Sequence, residues 1–226
     1  MKVFRLVSQI EGCLRDGRVP IRGAHPDDTP AHYAIQQMRL PHPVRGKVAF
    51  RLYDFQRDLV HAFERCPRLL VNAARRMGTT SLLAAYAVHY ARSRANETLL
   101  MLTDRFTSGL AEAVLRFAKQ RQRDVITVRE DYVLFEGVSR IIIHEASGAA
   151  VRGMAINLLM IDNAAFIPHH NAHEMWTMLA PSLAFGGRAI LASAPNRPKG
   201  LFYRLWNDIR RLGPDDAALL PASRMR

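Results

Sequence analysis

From Arg51 onward, short apolar runs alternate with longer stretches of helical periodicity, and no other feature of the sequence restricts the fold as much. "FQRDLVHAFERC" places Phe55, Leu59, Val60 and Phe63 at helical spacing, and "PRLLVNAA" follows as a buried-strand run. "TTSLLAAYAVHYARSR" reads as a helix with Thr80 and Ser81 in its first turn and Arg92 and Arg94 in its last, where cations suit the helix dipole. "TLLMLT", "INLLMID" and "RAILASAP" are further apolar strands. Between them fall two helical stretches, "SGLAEAVLRFAKQRQR" and "AHEMWTMLAPSL", and the strand-like "VITVREDYVLFEGVSRIIIHEA" with a turn at Gly137. This alternation predicts an α/β fold with an open, largely parallel sheet flanked by helices, whose sites form at the carboxyl ends of the strands. Residues 1–50 carry five prolines and only short apolar runs, so they are expected to form an arm with a helix or two. The expected division is an arm over 1–50, a main domain over 51–212 and a tail over 213–226.

Residues 73–80, "AARRMGTT", lie where a phosphate loop belongs, between a strand and a helix. In the pattern G-x-x-x-x-G-K-[ST], backbone N–H groups cradle phosphate oxygens, the lysine places a charge on them and the hydroxyl holds Mg²⁺. Here Ala73 takes the first glycine position, Gly78 the second, Thr79 that of the lysine and Thr80 that of the hydroxyl. "LLMIDN" ends a buried strand in Asp162, the way a Mg²⁺-coordinating carboxylate is presented beside such a loop. The next residue is normally a glutamate that deprotonates the attacking water; Asn163 stands there, and a neutral amide is no general base.

Thirty-two Lys and Arg against 20 Asp and Glu give a net charge of +12, which favours a polyanionic partner, with nucleic acid first in line. Arg116, Lys119, Gln120 and Arg123, with Arg121 adjacent, are expected to share a helical face and to contact duplex DNA; a solvated helix end is the alternative. No run approaches the roughly 18 to 20 consecutive apolar residues of a membrane helix, and no signal sequence opens the chain, so no membrane partner and an intracellular setting are expected. Cys13 and Cys66 make no metal or disulfide pattern and read as packing residues. Trp176 and Trp206 read as core, and His169 with His173 as a helical i,i+4 pair without a third ligand.

Four stretches together resemble the ATPase domain of the large terminase subunit, the DNA-packaging motor of tailed bacteriophages. "HPVRGKVAFRLYDFQRDLV" is similar to the approach to its adenine-recognising motif, and "AARRMGTTSLLAAY" to its phosphate loop and following helix. "AAVRGMAINLLMIDNAAFIP" resembles its Walker B strand, and "ILASAPNRPKGLFYRLW" its coupling motif. They occur in the family's order across roughly residues 40–207. The resemblance implies a P-loop NTPase-like core of the ASCE/RecA-like type, with ATP and Mg²⁺ as cofactors. It implies roles for Phe55 and Gln56 at adenine, for Arg75 as a cis-acting arginine at the γ-phosphate, for Gly78 and Thr80 at phosphate and Mg²⁺, and for Asp162 at Mg²⁺. "SAPN", with Asn196, would sense the nucleotide. Arg76 and Arg75 are candidate stand-ins for the lysine at Thr79; contact with DNA or plain surface charge are their other readings. Duplex DNA, portal or other motor subunits are the implied partners, in the cytoplasm of an infected host or at sites of virion assembly.

The chain departs from the family at three points. Some members lacking the second-glycine lysine supply one at the first loop position, where this chain has Ala73; Asn163 stands where the family has its catalytic carboxylate; and Asp208, Asp215 and Asp216 are too few to build the family's nuclease site. Three readings follow: a catalytically impaired terminase-like module that binds DNA or an active motor partner, an active packaging ATPase, and a basic nucleic-acid binder with no nucleotide site. The first is favoured, because the two losses at Thr79 and Asn163 remove different parts of one reaction. In the second, Arg75 or Arg76 replaces the lysine, and Glu145 or Asp104 replaces the glutamate.

Overall fold

The structure, a computed structural model, describes residues 29–104, 109–147, 154–184 and 186–207; most of the expected arm, the tail and the three late aspartates lie outside the described residues. A seven-stranded sheet is ordered β3-β9-β8-β4-β7-β6-β5, where β3 is Arg68–Asn72, β4 Thr98–Thr103, β5 Val125–Arg129, β6 Tyr132–Phe135, β7 Arg140–Glu145, β8 Leu158–Asp162 and β9 Arg188–Ser193. The five strands from β3 to β7 run parallel; β6 and β5 continue the sheet antiparallel at one edge. The last strand in sequence, β9, lies between the loop strand β3 and the aspartate strand β8.

The parallel strands read as unbroken apolar runs because both of their faces are covered. In β4, Leu99 and Met101 face one core, whereas Leu100 and Leu102 face the other. The first core lies under helices α1 (Pro30–Gln36), α2 (Asp54–Arg65), α3 (Thr79–Ser93) and α4 (Leu110–Lys119). The second lies under α5 (His169–Ala184) and a helical segment over 201–207. Trp176 and Trp206 both pack in this second core, and Cys66 is buried in the first. Arg68 ties the layers together: it donates to Pro67 O, to Gly187 O and to Leu183 O in the last turn of α5, where a cation also meets the helix dipole.

Residues 29–50, assigned by sequence to the arm, contribute Ala31, Ile35, Met38 and Phe50 to the same cluster as Phe63, Tyr86 and Phe117. Phe50 stacks on Phe117 at 6.0 Å, and a short hairpin of β1 (Arg39–His42) and β2 (Gly46–Ala49) sits beside them. His32 is buried and donates from Nε2 to Arg57 O at 3.0 Å, while its Nδ1 accepts from Thr29 N, so α1 is locked to α2. Gln120 pairs its amide with the backbone of Arg39 at 2.7 and 2.9 Å, in the manner of an added strand. Ile35→Ala is therefore expected to cost about 2–5 kcal/mol in unfolding free energy, against well under ~1 kcal/mol for Tyr33→Ala at an exposed position. Urea titrations of the two variants check this.

Candidate nucleotide site

The parallel register brings the carboxyl ends of β3, β9, β8, β4 and β7 to one edge: Asn72 pairs with Ser193, and Thr103 with both Asp162 and Glu145. The loop over 73–78 leaves this edge and enters α3 at Gly78, whose φ of 74° is left-handed. Arg76, two residues earlier, is also left-handed at φ 67°, which folds the loop tightly over the helix start. Helix N-termini carry partial positive charge and unsatisfied N–H donors, so this end of a 15-residue helix suits an anion.

Gln56 reaches the loop from below. It is buried, its Nε2 donates to Met77 O at 3.1 Å, and its Oε1 accepts from Tyr53 N at 3.2 Å. Both ends of the amide thus brace the loop and the start of α2: as third residue of α2, Gln56 turns back to the helix cap. The exposed aromatic surface beside it is Tyr53, stacked on Phe55 at 5.9 Å and 9° between planes.

Thr80, in the first turn of α3, donates its hydroxyl to Asp162 Oδ2 at 2.7 Å, and Asn163 N donates to Asp162 Oδ1 at 3.0 Å. Burial pushes the Asp162 carboxyl above its ordinary pKa and the Asp104 charge adds to the rise, while the two hydrogen bonds oppose it. Such a carboxylate, with a hydroxyl already aimed at it, is a fitting ligand pair for a hard divalent cation, whose charge would relieve the buried anion. Among the described residues no group of three or more His, Cys, Asp and Glu is placed to hold a metal, so a cation here would draw its remaining ligands from phosphate and water. The side chains of His169 and His173 lie outside the described residues.

Asn163 is left-handed at φ 55°, a conformation asparagine tolerates better than glutamate does. Its Nδ2 donates to Asp104 Oδ1 at 3.1 Å, directly beside the Asp162 pair. Three residues on, Phe166 lies under Arg75, whose guanidinium sits 5.1 Å from the ring centroid. Phe166 carries no signal in the sequence, because its approach to Arg75 depends on how two distant loops converge. The "SAPN" segment joins both: Ser193 O accepts from Ala73 N at 3.0 Å, Ser193 Oγ accepts from Ala165 N at 3.0 Å, and Asn196 donates to Ala165 O at 2.9 Å.

The expected basic face breaks up. Helix α4 ends at Lys119 and a 3-10 turn follows over Gln122–Asp124, so helical spacing does not carry through to Arg123. Arg116 is paired with Glu112 at 2.5 Å, and Arg121 donates to Gln37 Oε1 at 3.2 Å, toward α1. Lys119 and Arg123 are exposed.

A Cβ at Gly78 would lie 3.0 Å from Gln56 Nε2, in a backbone conformation unfavourable to L side chains. Gly78→Ala is expected to cost about 1–3 kcal/mol in stability, the range for a strained residue, and to displace Gln56 from Met77. Thermal melting together with hydrogen exchange at the loop amides checks both effects.

No protein-family model matches the chain. Its structure is similar to the large terminase ATPase domain of Thermus phage P74-26, with a TM-score of 0.59 and 16% identity over 80% of this chain and 74% of that one. It is similar also to the large terminase of bacteriophage HK97, with a TM-score of 0.61 and 14% identity, covering 83% of this chain and 42% of that one. The large terminase of a thermophilic bacteriophage, in complex with ADP, matches with a TM-score of 0.50 and 18% identity, over 63% of this chain and 37% of that one. The chain thus spans less than half of the latter two proteins, and over most of its own length it has the fold of the ATPase domain of bacteriophage large terminases.

Proposed function

We propose that the chain is a terminase-like module of a DNA-packaging apparatus that binds ATP at the loop over 73–80 and turns it over slowly. The observation that carries this reading is the hydrogen bond of 2.7 Å between Thr80 and Asp162, which sets a hydroxyl and a buried carboxylate side by side at an anion-binding helix start. The α3 N-terminus would receive the phosphates, Thr80 and Asp162 would hold Mg²⁺, and the face of Tyr53 would receive adenine. A bound Mg²⁺ would supply charge that offsets the phosphates. That a similarly folded phage terminase is described in complex with ADP supports the same kind of ligand here.

Slow turnover follows from two losses. No lysine stands at Thr79 or Ala73, and Asn163 carries no charge. Arg75 would compensate, and its guanidinium over the ring of Phe166 supports this; Arg76 is exposed beside it in sequence. Removing a charged donor from a transferring phosphoryl group costs on the order of 10² to 10³ in rate. Equilibrium titration with a fluorescent ATP analogue should show Mg²⁺-dependent binding that weakens about 10- to 100-fold in Thr80→Val and in Asp162→Asn. Thr79→Lys should tighten it by a similar factor. If the unaltered protein binds no nucleotide in Mg²⁺, the reading is wrong.

The basic surface is assigned to duplex DNA, or to an active motor partner that holds DNA. With Arg116 and Arg121 engaged within the protein, Lys119 and Arg123 are the residues left for phosphate contact. Replacing each with alanine should weaken DNA binding similarly on all sequences and lower the slope of log affinity against log salt by about 1 per residue. An unchanged slope would move the contact elsewhere. No helix among the described residues is long and apolar enough to cross a membrane.

A further inference from the structure

The position that lost its acid has a carboxylate next to it. Thr103 is the register partner of Asp162, so Asp104 leaves β4 at the level where Asn163 leaves β8. The two side chains are joined by the bond from Asn163 Nδ2 to Asp104 Oδ1 at 3.1 Å, and Thr103 Oγ1 donates to the same Oδ1 at 3.2 Å. Oδ2 takes neither bond. Among the described residues, Asp104 therefore has one oxygen fixed by two donors, and its other oxygen is available to accept a proton.

Glu145 is less well placed. It pairs with Thr103 from β7, one strand further from β8, and neighbouring strands lie about 4.8 Å apart. The carboxylate of Asp104 is the one that Asn163 holds and the one whose charge is felt at Asp162.

We propose that Asp104 is the general base for ATP hydrolysis in this chain and that Asn163 is its positioning residue; the proposal rests on ATP binding at the loop. A water gives a proton to the Asp104 carboxylate as its oxygen bonds to the γ-phosphorus. The bond from that phosphorus to the β–γ bridging oxygen breaks, and its electron pair leaves with ADP. Inorganic phosphate departs and Asp104 returns the proton to solvent. The acid has moved from the strand that carries the metal-binding aspartate to the adjoining strand, at the same height on the sheet.

Because Asp104 and Asn163 are the two halves of one hydrogen bond, exchanging them keeps both the bond and the net charge. Aspartate, like asparagine, tolerates the left-handed backbone at 163. The experiment measures single turnover of radiolabelled ATP with Mg²⁺, alongside ATP affinity by titration, in five proteins: unaltered, Asp104→Asn, the double exchange Asp104→Asn with Asn163→Asp, Glu145→Gln, and Asp162→Ala as a contamination control. Asp104→Asn should lower turnover by about 10²-fold or more with ATP affinity unchanged. The double exchange should restore most of it, and Glu145→Gln should turn over like the unaltered protein. Turnover that survives Asp104→Asn, or that the double exchange fails to restore, overturns the assignment, as does loss through Glu145→Gln alone. ATP that binds with no turnover in any variant overturns it while leaving the nucleotide site intact. Absence of binding overturns the nucleotide site and the assignment with it.

Discussion

The position of β9 between β3 and β8 is the constraint on which the rest depends. It separates the loop over 73–78 from Asp162 by one strand, about 10 Å between β3 and β8, and thereby leaves room for α3 to bring Thr80 back across to Asp162. It also places Ser193 where one residue touches both sides, through Ala73 and Ala165. If β9 lay at an edge of the sheet, the loop and the aspartate would be in neighbouring strands and the segment that follows β9 would reach only one of them.

Much of this was legible in the sequence, and for a definite reason. Strands buried on both faces favour apolar side chains along their length, so β3, β4, β8 and β9 stand out as runs such as "TLLMLT" and "LLMID". Loop and aspartate positions follow from their places at the ends of those runs. Lateral strand order does not, because chain order says nothing of which neighbours pair; the pairing of Asp104 with Asn163 is hidden for the same reason. The bracing of the loop by Gln56 is not legible in the sequence, because it depends on the burial of the amide between Tyr53 N and Met77 O, which come from two separate segments. Proline content made residues 29–50 read as an arm, although Ile35, Met38 and Phe50 at irregular spacing fill the first core.

The electrostatics of the site divide between the strand ends and the start of α3. Carboxylates cluster where β8 and β4 end, and burial already holds Asp162 above its ordinary pKa. The balancing positive charge comes from the α3 dipole and from the exposed Arg75 rather than from a lysine rooted in the loop. A guanidinium held over an aromatic ring is worth about 0.5–1 kcal/mol at an exposed site. This is small enough for a phosphate to compete for it.

That difference in anchorage separates frame from moving parts. β9 is hydrogen-bonded along both flanks, so it cannot shift toward the loop without tearing a ladder. Asn196 and Arg75 lie outside the ladders; among the described residues Asn196 is held by Ala165 O and Arg75 by the ring of Phe166. The site therefore joins a laddered frame to two side chains that hang on it like latches. Both latches rest on one short turn, Ala164–Phe166, so the two share one seat.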